Sequence, residues 1–116
     1  QKRGDFRLGV EVRLTPQAVE QVRQTMTYIS QTLLEPGIAR RWSDYLEREI
    51  RSLKQHPARY PLTPEEPWHT YGIRKMIVKN FFVYYLIEED KRQVAVTAVI
   101  YGRRDQIAAL REMTLE

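Results

Sequence analysis

Cysteine is absent from this sequence, so neither a disulfide nor a thiolate metal site can form. Histidine occurs only at His56 and His69, which stand at no metal-ligand interval. Glycine is scarce, five residues in all, and none builds a Gly-rich phosphate loop. Neither a metal nor a cofactor is therefore expected, and no Ser-His-Asp arrangement can be assembled. No apolar run approaches the roughly 20 residues of a membrane-spanning helix. The opening Gln1-Lys2-Arg3-Gly4-Asp5 leads into a strand-like pattern and not into the apolar segment of a secretory leader. Together with the missing cysteines, this gives the expectation of a cytoplasmic protein without membrane partners.

What is present suits one domain spanning residues 1–116, with 1–5 a flexible arm: the hydrophobic share is 42% and the aromatic share 10%, enough for a core. The net charge of +4 favours acidic partners, either nucleic acid or an acidic protein.

Residues 6–14 alternate, with Phe6, Leu8, Val10, Val12 and Leu14 apolar, which is the period of a half-buried strand. Thr15-Pro16 supplies an N-cap and a proline at the first helical position. Val19, Val22, Met26, Ile29 and Leu33 then mark one face of a helix. Glu35-Pro36-Gly37 breaks it, and Ile38, Trp42, Tyr45, Leu46, Ile50 and Leu53 mark a second, stopped at His56-Pro57. So short a break predicts an antiparallel helical hairpin. Four prolines between 57 and 67 predict a stiff irregular loop. Residues 73–78, 81–87 and 94–101 are rich in β-branched and aromatic residues and read as an antiparallel meander. Ile107, Ala108, Leu110 and Arg111 suggest a short final helix. The expected fold class is α+β: an N-terminal strand and a three-stranded meander in one sheet, a helical hairpin on one face, and a short C-terminal helix.

Candidate chemistry lies mainly in cations. Arg74, Lys75 and Lys79 sit on or beside the first meander strand, and Arg103 and Arg104 follow the last. If these strands flank the middle one, the exit of the last is expected near the start of the first. That would gather guanidinium and ammonium groups suited to a phosphate or carboxylate. Two readings of Arg104 stand side by side: direct ligand contact, or an ion pair with Asp105 or a hairpin carboxylate. Lys79 reads as a turn lysine. His56 reads as a helix C-terminal residue favoured by the dipole. His69, beside Trp68 and Tyr71, is the histidine that could face the sheet as a general acid or base. Phe81, Phe82, Tyr84 and Tyr85 read as core on both faces of a central strand, in preference to a base-stacking platform.

The succession "GIRKMIVKNFFVYYLIEED" followed by "VAVTAVIYGRRDQIAAL" resembles the RelE/ParE superfamily, toxins of bacterial type II toxin-antitoxin systems that include plasmid stabilisation proteins. The likeness covers residues 6–113. It implies a small growth-inhibiting toxin neutralised by a cognate antitoxin in a hetero-oligomer. RelE-like members cut mRNA on the ribosome, whereas ParE-like members inhibit DNA gyrase. Lys75 falls at a RelE-type basic position and Arg104 at the arginine closing the last strand. Phe82 and Leu110 stand where RelE-like members carry an arginine and a tyrosine. The resemblance thus implies a ParE-like toxin that binds a large target such as gyrase. A RelE-like nuclease using Arg74, Lys75, Arg103, Arg104 and His69, and a non-toxic interaction module, are the alternatives, so enzymatic activity is left open.

Overall fold

Strand β1, Glu11–Leu14, is the end of the first alternating segment. Residues 6–9, like the expected arm at 1–5, lie outside those described by the computed structural model, which are 10–33, 36–102, 110–111 and 113. At Thr15 the hydroxyl accepts the Ala18 N–H at 3.2 Å, capping helix α1, Pro16–Leu33, as the Thr-Pro pair predicts. Helix α2, Pro36–Arg51, packs against α1.

The inward stripe of α1 differs from its apolar periodicity. Val19 is 52% exposed, while Ala18 and Ile29 are buried and Val22 and Met26 pack against them. The reason is Gln21. β1 pairs β4 only as far as Val96, and one more ladder bond follows from the Thr15 N–H to the Val96 carbonyl (2.9 Å). Beyond that point α1 replaces β1 as the neighbour, and Gln21 Oε1 accepts the Val99 N–H at 2.8 Å. A buried amide that would otherwise be orphaned turns a polar residue inward.

The second helix also ends earlier than the His-Pro signal suggests. It stops at Arg51, a 3₁₀ turn covers Ser52–Lys54, and His56 takes a left-handed φ of 61° before a second turn at Pro57–Arg59. Ser52 donates its hydroxyl back to the Glu49 carbonyl at 2.6 Å, a local bond that competes with helix continuation. His56 is thus an exposed corner and not a helix C-terminal residue.

Strands β2 (Arg74–Val78), β3 (Phe81–Glu88) and β4 (Gln93–Tyr101) form the predicted meander. The sheet order is β1-β4-β3-β2, with β1 parallel to β4 and the other pairs antiparallel. Tyr84 pairs with Ala98 and Tyr85 with Val96, which leaves Thr97 as a bulge. The bulge explains how residues of both parities on β4 reach one core: Val94 and Val96 face the helices, and beyond Thr97 so do Val99 and Tyr101. Ala98 and Ile100 face a second core on the opposite side, with Trp68, Ile73, Tyr84 and Leu110. Phe81 and Tyr85 belong to the first core and Phe82 and Tyr84 to the second, so the four aromatics serve both faces as expected. The fold class is the α+β arrangement read from the sequence. Of the final helix only Leu110 and Arg111 are described, both helical. Among the described residues no helix is long and apolar enough to cross a membrane.

Gln21 generates a test. Replacing it with leucine leaves the Val99 amide buried without an acceptor, which costs about 1–3 kcal/mol. Gln24→Leu, on the exposed face where Gln24 only meets Glu20, stays within about 0.5 kcal/mol of the parent. Urea unfolding of the two variants side by side measures the difference.

Candidate functional site

β2 is an edge strand, and its alternation divides the candidate cations. Met76 and Val78 enter the core beneath the helices. The proline loop folds back along the outer edge at the start of β2: Lys75 donates its N–H to the Pro61 carbonyl (3.0 Å) and Thr63 to the Ile73 carbonyl (2.8 Å). Farther along the strand Ile77 is 61% exposed.

Arg74 is bound into the structure. Its guanidinium donates to the carbonyls of Tyr60 (2.6 Å) and Ala58 (3.3 Å). Tyr85, directly opposite on β3, donates its hydroxyl to the Pro57 carbonyl at 2.5 Å. Burial pushes the Tyr85 phenol up to about 12, so it keeps its proton and remains a donor. Together the two side chains hold the 57–60 segment against the sheet.

Lys75 lies on the opposite face, its side chain 18% exposed, with the ammonium 3.8 Å from Glu65 Oε2. It also stands over two aromatic rings, 5.1 Å from the centroid of Phe82 and 5.9 Å from that of Tyr84. Glu65 accepts the Thr63 hydroxyl. That bond above all, with Glu65's own N–H and the Lys75 ammonium, holds the carboxyl below the usual range against the opposing push of desolvation. His69 meets the Thr63 carbonyl through Nδ1 at 2.9 Å. A carbonyl only accepts, so Nδ1 carries the proton. The Tyr84 phenol is pushed upward by burial and then by the Glu65 carboxylate. Thr63 thus joins Glu65 and His69, and Lys75 links Glu65 to the Tyr84 ring. Glu65 and Thr63 are the members that sequence reasoning missed. They stand in an irregular loop, and the only hint was a short polar Thr-Pro-Glu step.

Lys79 stands at the other end of β2. It opens the β2–β3 turn with a left-handed φ of 53°, and its ammonium lies 4.9 Å from the Tyr45 ring centroid and 5.4 Å from that of Trp42. Beside it β4 leaves the sheet: Tyr101 pairs with Phe81, and Gly102 donates its N–H to the Asn80 carbonyl at 2.6 Å. The exit of the last strand therefore lies at the end of β2 and not at its start, because two reversals return the chain to its original direction. Lys75 and Lys79 are four residues apart, roughly 13 Å at strand rise. The structure does not bring Arg74 and Lys75 together with Lys79. Arg103 and Arg104 lie outside the described residues. Among the described residues no cluster of His, Cys, Asp and Glu could hold a metal ion.

Comparison with known proteins places this arrangement. No curated protein matches the sequence. Among solved structures, a chain of the chromosomal ParDE TA system from P. aeruginosa superposes with a TM-score of 0.66 at 13% identity. The match covers 82% of this chain and 97% of that one, a likeness of fold. A family model described as the ParE toxin of type II toxin-antitoxin systems, parDE, matches residues 12–106, from the second residue of β1 past the end of β4. The chain belongs to the ParE toxin family of type II toxin-antitoxin systems.

Proposed function

We propose that this toxin acts by holding a large protein target, DNA gyrase first among the candidates, and that a cognate antitoxin neutralises it. One observation carries the choice against RNA cleavage: Lys75 is engaged by Glu65 and lies over the ring of Phe82. Cleavage through the ribose 2′-hydroxyl builds negative charge on a pentacoordinate phosphorus, which needs cations aimed at it. Phe82 offers none, Arg74 is committed to backbone carbonyls, and each missing stabiliser of this kind forfeits about 3 kcal/mol of the barrier reduction. The family membership supports the toxin reading, and the partly neutralised cations support binding over chemistry. The proposal leaves Lys79, Arg103 and Arg104 as the basic groups offered to a partner.

Two measurements test it. Inducing the chain without an antitoxin is expected to arrest growth, with relaxation or damage of plasmid DNA appearing before incorporation of labelled methionine falls. Early translation failure with cut ribosome-bound mRNA would make it a nuclease. Unaffected growth would make it an interaction module.

The second measurement concerns Lys75 and Glu65 as parts of the fold. A carboxyl held below its unfolded pKa contributes stability that is present above the unfolded value and lost as pH falls through the folded one. Glu65→Gln removes that contribution, so its deficit in urea unfolding is expected to be widest near neutrality. The deficit closes as the pH drops through Glu65's depressed range. Toxicity per folded molecule is expected to stay at the parent level. A variant with unchanged stability and lost toxicity would place the pair on the functional surface instead.

A further inference from the structure

We propose that the Trp42–Tyr45 ledge on α2, with Arg41, Arg48 and Lys79 around it, is a docking site for an acidic protein segment carrying an apolar anchor. The proposal rests on the reading of Lys79 as partner-facing and adds the chemistry of what it meets.

The charges come first. Lys79 stands over both rings, and the Arg48 guanidinium stands over Tyr45 at 5.6 Å. Arg41 joins Ile38, Trp42, Tyr45 and Lys79 in lining an open cleft of about 370 Å³. Elsewhere Arg13, Arg23, Arg51, Lys75 and Lys91 pair with carboxylates. Among the described residues no carboxylate comes within 4.0 Å of Arg41, Arg48 or Lys79. Asp44 is one helical turn from both arginines and pairs with neither. An aromatic face steadies a cation without neutralising it, so Lys79 and Arg48 are held over the rings while Arg41 lines the cleft, and among the described residues none of the three is paired with a carboxylate.

The backbone adds a second observation. A left-handed φ at a lysine is a strained choice where glycine or asparagine would be relaxed. His56 and Arg92 take the same conformation at other turns, so what sets Lys79 apart is where its side chain goes. Here the turn carries a long cationic side chain whose ammonium reaches the rings of α2.

The rings decide between the anions on offer. Trp42 meets Lys79 and also Phe81, at 5.8 Å and a 58° tilt, while Tyr45 carries two cations. Ring faces so occupied leave little room for a base to stack, which single-stranded nucleic acid binding relies on. Carboxylates need only the cations, and the apolar rim at Ile38 and Trp42 suits an aliphatic side chain between them.

The test uses the purified full chain and a short fluorescent peptide in which glutamates flank one leucine. Binding is followed by anisotropy at low and physiological salt. The glutamate peptide is expected to bind, to weaken with salt, and to outcompete both its glutamine counterpart and an oligothymidylate of equal charge. Combining Lys79→Asn, which keeps the left-handed turn, with Arg48→Gln is expected to weaken binding about tenfold, the loss of a charge-assisted contact. Asp44→Asn, which removes the opposing charge, tightens it. Equal binding of the glutamine peptide, preference for the oligonucleotide, or an unmoved affinity in either variant overturns the proposal. No gyrase and no living cell is involved, so failure here leaves the growth test intact.

Discussion

Thr97 interrupts β4 at the point where that strand must serve three neighbours at once. The residue bulges between the partners of Tyr84 and Tyr85, so valines of opposite parity, Val96 and Val99, reach the same core. Its hydroxyl, with one proton to donate, lies within reach of the Tyr84 carbonyl at 3.3 Å and of Met113 Sδ at 3.0 Å, and its carbonyl accepts the Thr15 hydroxyl at 3.4 Å. Thr15 in turn caps α1 and extends the β1 ladder. One irregular residue thus links the central strand, the parallel edge strand, the first helix and the C-terminal segment. A bulge leaves backbone groups in need of partners, and the buried hydroxyls of Thr15 and Thr97 and the half-buried amide of Gln21 answer that need.

Because β4 is fixed in this way, the functional geometry falls to β2, at the far edge. There the two ends of a five-residue strand have different physics. At its start Arg74 and Lys75 are absorbed by carbonyls, by Glu65 and by ring faces, and the proline loop shields the edge from other strands. At its end Ile77 is exposed and Lys79 turns back over the helical hairpin. Cations close in sequence are therefore not one site, and no phosphate small enough to be one leaving centre could meet them all.

Much of this was legible in the sequence, where local chemistry sets local structure. Thr15-Pro16 specifies a helix start whatever surrounds it, and Lys79-Asn80 between two β-branched runs specifies a hairpin. The relation of the strand ends was legible too, since two reversals put the β4 exit beside the end of β2; expecting it at the start misjudged direction alone. The rest depends on partners distant in sequence. Gln21 looks like surface until Val99, 78 residues away, needs an acceptor, and Val19 leaves the core for the same reason. The stretch "VAVTAVIY", apolar on both sides of its threonine, gives no period from which to place a bulge. Glu65 is invisible as a partner of Lys75 because an irregular loop has no period to relate them.

The contrast between Lys75 and Lys79 shows how a side chain's company sets its use. Both ammonium groups lie within 6 Å of two aromatic rings, so cation–π attraction alone does not distinguish them. Glu65 does. A carboxylate 3.8 Å away cancels most of the field that Lys75 would present, and its own charge is fixed by the Thr63 hydroxyl, so the pair is inward-looking. Rings carry a quadrupole and no net charge, so they fix the position of Lys79 while its field persists at a distance. A fold that must stay neutral inside and basic outside can achieve both with the same residue types. It places a carboxylate beside the lysine that holds the loop and only aromatic faces beside the lysine that faces out.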